Sequence, residues 1–538
     1  MKPRDLIFIN GKVRRNFFSS PVEAIRIHKG RVSCLGSNSE VLADRGNSEI
    51  LDLKGKTVLP GLIDSHNHMM TYGFLKRRFN CGVLREKGLG FFEKQLVDYV
   101  FSSEENSWVV GYNFDESLLP SFPDKSFLDS IVSSKPVFLV RSCTHSALLN
   151  SKALEMLSLD SYSLDPRDGK IGRLETGEPN GWLYEKALEK ALAQVHSIDP
   201  QGVARALETA QEDYLALGLT GVHDPGTDML SEKHYVDCYV DFERRGKLKI
   251  KTYLMFRLPS NLPTCTSLYE FKHLREREAR QNSKLLLGGV KLFADGSIGS
   301  RTAALFRPYE GHASNYGVLK DMKELKKRME KIHAARLQIS IHAIGDRAVE
   351  EVLRCFEEIL AKDPLQNHRH RLEHCEMCEI STMKRMQRLG LLVTAQPCFI
   401  HDFGDNYIRG LGEERANRLI ACRNFVEAGL SCAMGTDAPI SSPSPWQNVW
   451  AALSRKTEEG KPLGADQGIP LAQALHAYTR EAAFAGFSEE ECGSLDPGKS
   501  GDMTILEEDP FRMSLEDLRE IQTTGTVISG KILVAKNM

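Results

Sequence analysis

The chain has 538 residues, 41% hydrophobic and 26% charged, with 70 lysines and arginines against 72 aspartates and glutamates. That length suits one large domain with at least one smaller one, and the composition excludes collagen, coiled-coil and disordered classes. A net charge of −2 offers no basic excess for nucleic acid.

The N-terminal MKPRDLIFINGKV holds only a four-residue apolar run, short of a secretory h-region. No stretch approaches the roughly 20 apolar residues of a membrane span, so no membrane partner is expected. Twelve cysteines are scattered without a dense framework, which reads as reduced cysteines in a cytoplasmic protein. The pair Cys375 and Cys378 has CxxC spacing but no second CxxC, so no separate zinc or redox site is read there.

In chain order, residues 1–57 read as short strands (DLIFINGKV, EAIRIHKGRVSCLG, EILDLKGKTV) punctuated by Gly, Asn and Ser. Residues 488–538 answer in kind with DMTILEED and GTVISGKILVAK, so a small β-sandwich built from both termini is expected. VLPGLIDSH is the first strand of a longer series. Residues 75–185 then break the pattern, being far more than one crossover helix needs, and read as an insertion covering the active-site face. The alternative makes PVFLVRS within that stretch a barrel strand. A helix follows, with Asp199 as cap, Pro200 in its first turn and Gly218 beyond its end. Further helices are expected from Asp346, with Val349, Val352, Leu353, Phe356 and Leu360 on one face, and from Arg415 to Ala428, closed by Gly429.

Eight strands can be counted: VLPGLIDSH, LTGVHD, KIKTYLMF, GGVKLFAD, ISIHA, RLEHC, LLVTAQP and SCAMGTD. Eight strands alternating with helices predict an α/β fold, a (β/α)8 TIM-like barrel over 58–74 plus 186–487. Active sites of such barrels lie at the strand C-termini.

Those termini carry a set of metal-ligand types: His66, His68, Lys291, His342, His374 and Asp437. Residues two apart on a strand share a face, so His66 and His68 can grip one cation. Imidazole suits zinc and similar divalent ions. A carboxylate at a strand end beside cations is the expected general base, which assigns Asp437. Lysine within an apolar strand is usually snorkelling or ion-paired. Desolvation would instead make Lys291 nucleophilic, able to take up carbon dioxide and bridge two metals as a carbamate. Asp295 is read as supporting these ligands, and Glu373 as facing the opposite side of its strand. One divalent ion with unmodified Lys291, or two with carboxylated Lys291, both stay open.

The chain resembles the amidohydrolase superfamily, and within it the amidohydrolase 3 group that includes N-substituted formamide deformylases. The resemblance runs through VLPGLIDSHNH, GVKLFADGSIGSRTAAL, SIHAIGDRAVEEVL, HRLEHCE, GTDAPISSPSPW and GSLDPGKSGDMTIL. It implies the barrel with a terminal β-sandwich, and hydrolysis of a non-peptide carbon–nitrogen bond with zinc-like metals. It also implies His66, His68, His342, His374 and Asp437 as ligands and Lys291 as the bridge. Arg141 and His145 would then line the substrate pocket, although Cys143 and Thr144 depart from the Asp-Gly common in related chains. Arg301, Arg347 and Gln396 are further candidates to meet substrate, against a loop-bracing alternative.

The expected function is metal-dependent hydrolysis of an amide, formamide or cyclic amide of a small molecule, by a metal-activated hydroxide with Asp437 as general base. Ester or lactone hydrolysis, deamination and decarboxylation on the same site are rivals, which a substrate panel discriminates. A non-catalytic scaffold of the same fold would have lost ligands, and none of the five His/Asp positions is missing. Homo-oligomerisation is compatible with the sequence, which carries no interface signature.

Overall fold

The computed structural model describes residues 5–103, 108–141, 146–166, 169–195, 200–226, 232–257, 264–279 and 283–536. The eight apolar runs become one eight-stranded sheet in sequence order. Its strands are β1 (Leu62–Asp64), β2 (Leu219–Asp224), β3 (Lys251–Arg257), β4 (Leu285–Phe293), β5 (Ile339–Ala343), β6 (Arg371–His374), β7 (Leu392–Ala395) and β8 (Cys432–Met434). All seven neighbouring pairs are parallel. Parallel strands covered on both faces need near-continuous apolar sequence, and β1, β2, β6, β7 and β8 are buried at every residue.

β1 and β8 are joined by loop bonds rather than a ladder. Ser65 N–H donates to Met434 O (3.1 Å), Asp437 N–H to His66 O (2.7 Å) and His68 N–H to Ala438 O (2.8 Å). The buried Asp64 carboxylate staples the same seam. It accepts from Thr436 Oγ1 (2.5 Å), Thr436 N (3.0 Å), His66 N (3.2 Å) and Asn67 Nδ2 (3.0 Å). Burial still pushes its pKa up to about 6 against these bonds. Barrel closure therefore uses the same residues that place His66, His68 and Asp437 side by side.

Helices Pro200–Ala216 and Asp346–Lys362 form where periodicity predicts them; Asp199 lies outside the described residues. The second buries Val349, Val352, Leu353, Phe356 and Leu360. The single helix expected over 415–428 is instead two, Glu413–Ala416 and Cys422–Glu427. The buried Arg455 guanidinium takes Leu419 O (2.7 Å) and Ile420 O (3.0 Å), and Ile420 sits at φ 49°. Those carbonyls are lost to the helix ladder, so it breaks there.

Two compact units divide the chain, Met1–Met69 with Gln211–Met538, and Met70–Ala210. The first also holds a four-stranded sheet (Leu6–Ile9, Ala24–His28, Arg31–Gly36, Glu49–Asp52) and a five-stranded one (Lys12–Val13, Thr57–Pro60, Met503–Leu506, Thr523–Ile528, Lys531–Ala535). Phe8, Val13, Ile25, Ile27, Val58, Ile505 and Val527 are in one apolar cluster, drawn from both sheets and both ends of the chain. The second unit carries a six-stranded sheet that includes Val137–Arg141, so PVFLVRS adds nothing to the barrel count. No helix among the described residues is long and apolar enough to cross a membrane.

Replacing Thr436 by Val keeps shape but removes a hydroxyl donor to buried Asp64. The loss should be about 1–3 kcal/mol, the cost of an under-satisfied buried acceptor. It should appear as a lower thermal midpoint of the metal-free protein; an unchanged midpoint would show the staple to be dispensable.

Candidate metal centre

Each side chain of the site arrives from the C-terminal end of a barrel strand. His66 and His68 follow β1, with Asn67 between them turned away. Asn67 Oδ1 accepts from Tyr214 Oη (2.6 Å), and its Nδ2 is on Asp64. Lys291 is in β4, His342 in β5 and His374 at the end of β6; Asp437 follows β8. Strand alternation would send His374 and Glu373 to opposite faces. The backbone overrides this, because His374 and Cys375 take φ of 71° and 48°, unusual for residues other than glycine. His374 thus joins the centre while Glu373 also points inward.

The imidazoles cluster around one carboxylate. Ring centroids are 4.8 Å apart for His66–His374, 4.6 Å for His342–His374 and 5.6 Å for His66–His68. Ligand atoms of His66, His374 and Asp437 lie within 4.8 Å of one another. Asp437 Oδ1 is 3.1 Å from His68 Nε2 and 3.4 Å from His66 Nε2.

The other nitrogen of each ring is already engaged, which assigns the tautomers. His66 Nδ1 donates to Glu373 Oε2, His68 Nδ1 to Gly226 O (2.6 Å) and His374 Nδ1 to Gln396 Oε1 (2.8 Å). His342 Nε2 donates to Gly296 O (3.0 Å), leaving its Nδ1 open. His66 Nε2 therefore turns a lone pair toward the carboxylate oxygen, and His68 Nε2 lies 3.1 Å from the same oxygen. His66 Nε2 and Asp437 Oδ1 are buried without a hydrogen-bond partner. Electron-rich atoms converging in a buried space fit a cation, so the donor set passes the test for a metal.

Electrostatics favour neutral rings at His66, His342 and His374, whereas His68, buried but beside Asp437 and Asp224, is held above its usual value. Burial, with Lys291 nearby, pushes His66 down to about 4 and His342 down to about 3. Burial, with the neighbouring His342 and His66, holds His374 well below its usual value. Neutral imidazole is the ligating form. Burial alone would raise Asp437, but His66, His68 and His374 hold it below the usual carboxylate range. Lys291 is buried and brought down to about 8, by desolvation against the pull of Glu373 and Asp437. Its Nζ stands 5.1 Å from the Phe293 ring centroid, and no acceptor hydrogen-bonds it among the described residues.

One reading needs correction: Glu373 is not on the far face; it holds His66. Gln396, a candidate to meet substrate or to brace, has its carbonyl engaged by His374 Nδ1. Arg301 lies in a turn, where its main-chain carbonyl accepts from Asn315 Nδ2 (3.2 Å). Arg347 is exposed. Arg141 belongs to the Met70–Ala210 unit, where Nε donates to Glu116 Oε2 (2.7 Å). His145 lies outside the described residues. Asp295 braces the loops around His342, accepting from Ala304 N (2.9 Å), Ile344 N (3.0 Å) and Gly345 N (2.9 Å).

Sequence reasoning missed Glu373, Arg371 and Asp64. Arg371 and Glu373 are opposite charges two apart in an apolar strand, a signal that could have marked an inward-facing pair.

A model of the amidohydrolase family (Amidohydro_3) matches residues 49–534. The chain is 30% identical to Protein LONG AFTER FAR-RED 3 of Arabidopsis thaliana, over 98% of this chain and 91% of that one. It is 28% identical to N-substituted formamide deformylase of Arthrobacter pascens, over 98% of both. Among solved structures, an uncharacterised metal-dependent hydrolase from Pyrococcus horikoshii OT3 superposes with a TM-score of 0.78 at 28% identity, covering 95% of this chain and 99% of the other.

Replacing His66 or Asp437 by Ala should abolish stoichiometric metal in the folded protein, whereas Arg141→Ala should leave it unchanged. Elemental analysis beside circular dichroism checks this; wild-type metal content in Asp437→Ala would remove that carboxylate from the ligand set.

Proposed function

The chain belongs to the amidohydrolase family, and we propose that it hydrolyses a non-peptide carbon–nitrogen bond of a small molecule, an amide, formamide or cyclic amide. The observation that carries the metal chemistry is the approach of His66 Nε2 and His68 Nε2 to within 3.4 Å and 3.1 Å of Asp437 Oδ1, in a buried space. The choice of a carbon–nitrogen bond is supported by the likeness to a formamide deformylase along the whole chain.

His66, His68, His342, His374 and Asp437 would hold one or two divalent ions, and zinc suits imidazole with carboxylate. A bound ion of this kind lowers the pKa of water and polarises a carbonyl oxygen. Asp437 stays ionised, so its carboxylate takes the proton from the attacking water and passes it to the leaving nitrogen. The histidines keep their lone pairs because Glu373, Gly226, Gly296 and Gln396 hold their N–H groups.

Lys291 decides between one ion and two. Its pKa of about 8 leaves part of it as free amine near neutral pH, the form that takes up carbon dioxide. Around the site the buried charges Lys291 and Arg371 offset Glu373 and Asp437. Carboxylation turns Lys291 from cation to anion, a change of two charges that matches one further divalent ion. The ten cysteines whose side chains are described are free thiols, which suits a cytoplasmic enzyme.

Metal removal with a chelator should abolish turnover of N-formyl and N-acyl amines, and zinc should restore it. Turnover of esters alone would overturn the carbon–nitrogen reading. Asp437→Asn should lower kcat by about 10²–10⁴-fold, the usual worth of a general base.

A second zinc equivalent should bind only with bicarbonate present, and Lys291→Ala should hold one equivalent regardless. Two equivalents in Lys291→Ala would exclude a bridging carbamate.

A further inference from the structure

We propose that Glu373 is a positioning residue that strengthens the hold of His66 on a metal ion. The proposal rests on the metal-centre reading above and goes beyond it, to the residue that orients one of the ligands.

Four histidines have their non-ligating N–H held, but not by equal partners. His68, His342 and His374 lean on uncharged carbonyl oxygens, of Gly226, Gly296 and the Gln396 amide. His66 leans on a carboxylate. An anion accepting from one imidazole nitrogen fixes the ring plane and raises the basicity of the other.

The carboxylate itself cannot turn. Oε1 accepts from Ser340 Oγ (2.6 Å) and Arg371 Nε. Oε2 accepts from His66 Nδ1 and Arg371 Nη2 (3.1 Å). Arg371 is fixed in turn, with Nη2 on Ser65 O (2.8 Å) and Nη1 on His223 Nδ1 (3.0 Å). All of these side chains are buried. A carboxyl group there without a cation would be neutral; Arg371 keeps Glu373 an anion. Residues of β2, β5 and β6 thus converge on one histidine next to β1.

The test reads zinc affinity of the full chain, by competition with a chromophoric chelator. Glu373→Gln keeps the shape and an acceptor but removes the charge, and should weaken zinc about 10–100-fold, the usual effect of losing such a partner. Ser340→Ala, which removes a bond to Oε1 alone, should leave the affinity nearly unchanged. Cobalt(II) added in place of zinc should show a shifted visible absorption in Glu373→Gln and not in Ser340→Ala. Because Glu373→Gln strands the buried Arg371 charge, which can prevent folding, the double variant R371M/E373Q removes both charges and should show the same weakening. Folded Glu373→Gln or R371M/E373Q holding zinc as tightly as wild type would overturn the proposal alone. A wild-type chain that takes up no zinc would overturn the metal-centre reading and this proposal with it.

Discussion

Closure of the barrel at the seam between β1 and β8 is the constraint on which everything else depends. Asp64 and Thr436 are 372 positions apart in sequence, and their contact sets His66 and His68 beside Asp437. An eight-stranded sheet left open at this point would still bury its apolar faces. It would not bring a carboxylate oxygen within 3.1 Å of an imidazole nitrogen. The backbone bonds across the seam include Asp437 N–H on His66 O, so the peptide groups that close the fold belong to the ligand residues themselves.

The interior beneath that seam is polar where barrels of this architecture are filled by branched apolar side chains. Arg371, Glu373, Lys291 and Asp437 are all nearly or fully buried, and an unpaired buried charge is expensive. The cost is contained by pairing. Arg371 neutralises Glu373, while Lys291 and Asp437 lie in each other's field. Two of the buried atoms left without a hydrogen bond, His66 Nε2 and Asp437 Oδ1, lie 3.4 Å apart here. A divalent ion there would supply the positive charge that the lone pair and the carboxylate lack.

Much of this was legible in sequence because parallel strands write themselves as short apolar runs and the ligand types stand at their ends. The eight strands and their order followed from that pattern, and the candidate ligands His66, His68, His342, His374 and Asp437 from the residues at the strand mouths; of these His66, His374 and Asp437 bring ligand atoms within 4.8 Å of one another. Three features were hidden, each for a physical reason. The period of two assigns Glu373 to the wrong face, because it takes no account of a left-handed residue at the strand end. Gln396 reads equally as a substrate contact or a brace, and its bond to His374 Nδ1 joins residues 22 positions apart that no local pattern links. The broken helix near Ile420 depends on Arg455, which is remote in sequence and carries no periodic signal.

The left-handed residues are where fold and chemistry meet. His374 and Asp437 both carry positive φ, and neither is glycine, for which that region would be free of steric cost. Such conformations cost about 1–3 kcal/mol each and persist only where surrounding structure over-determines them. Here the determinants can be named. Cys375 N–H donates to Ala343 O beyond His374, Asp437 N–H donates to His66 O, and His374 Nδ1 is held by Gln396. With regular extended backbone, β6 could present Glu373 or His374 to the barrel centre, not both. The strained turn lets one strand supply a metal-binding candidate, His374, together with the carboxylate that fixes a second, His66.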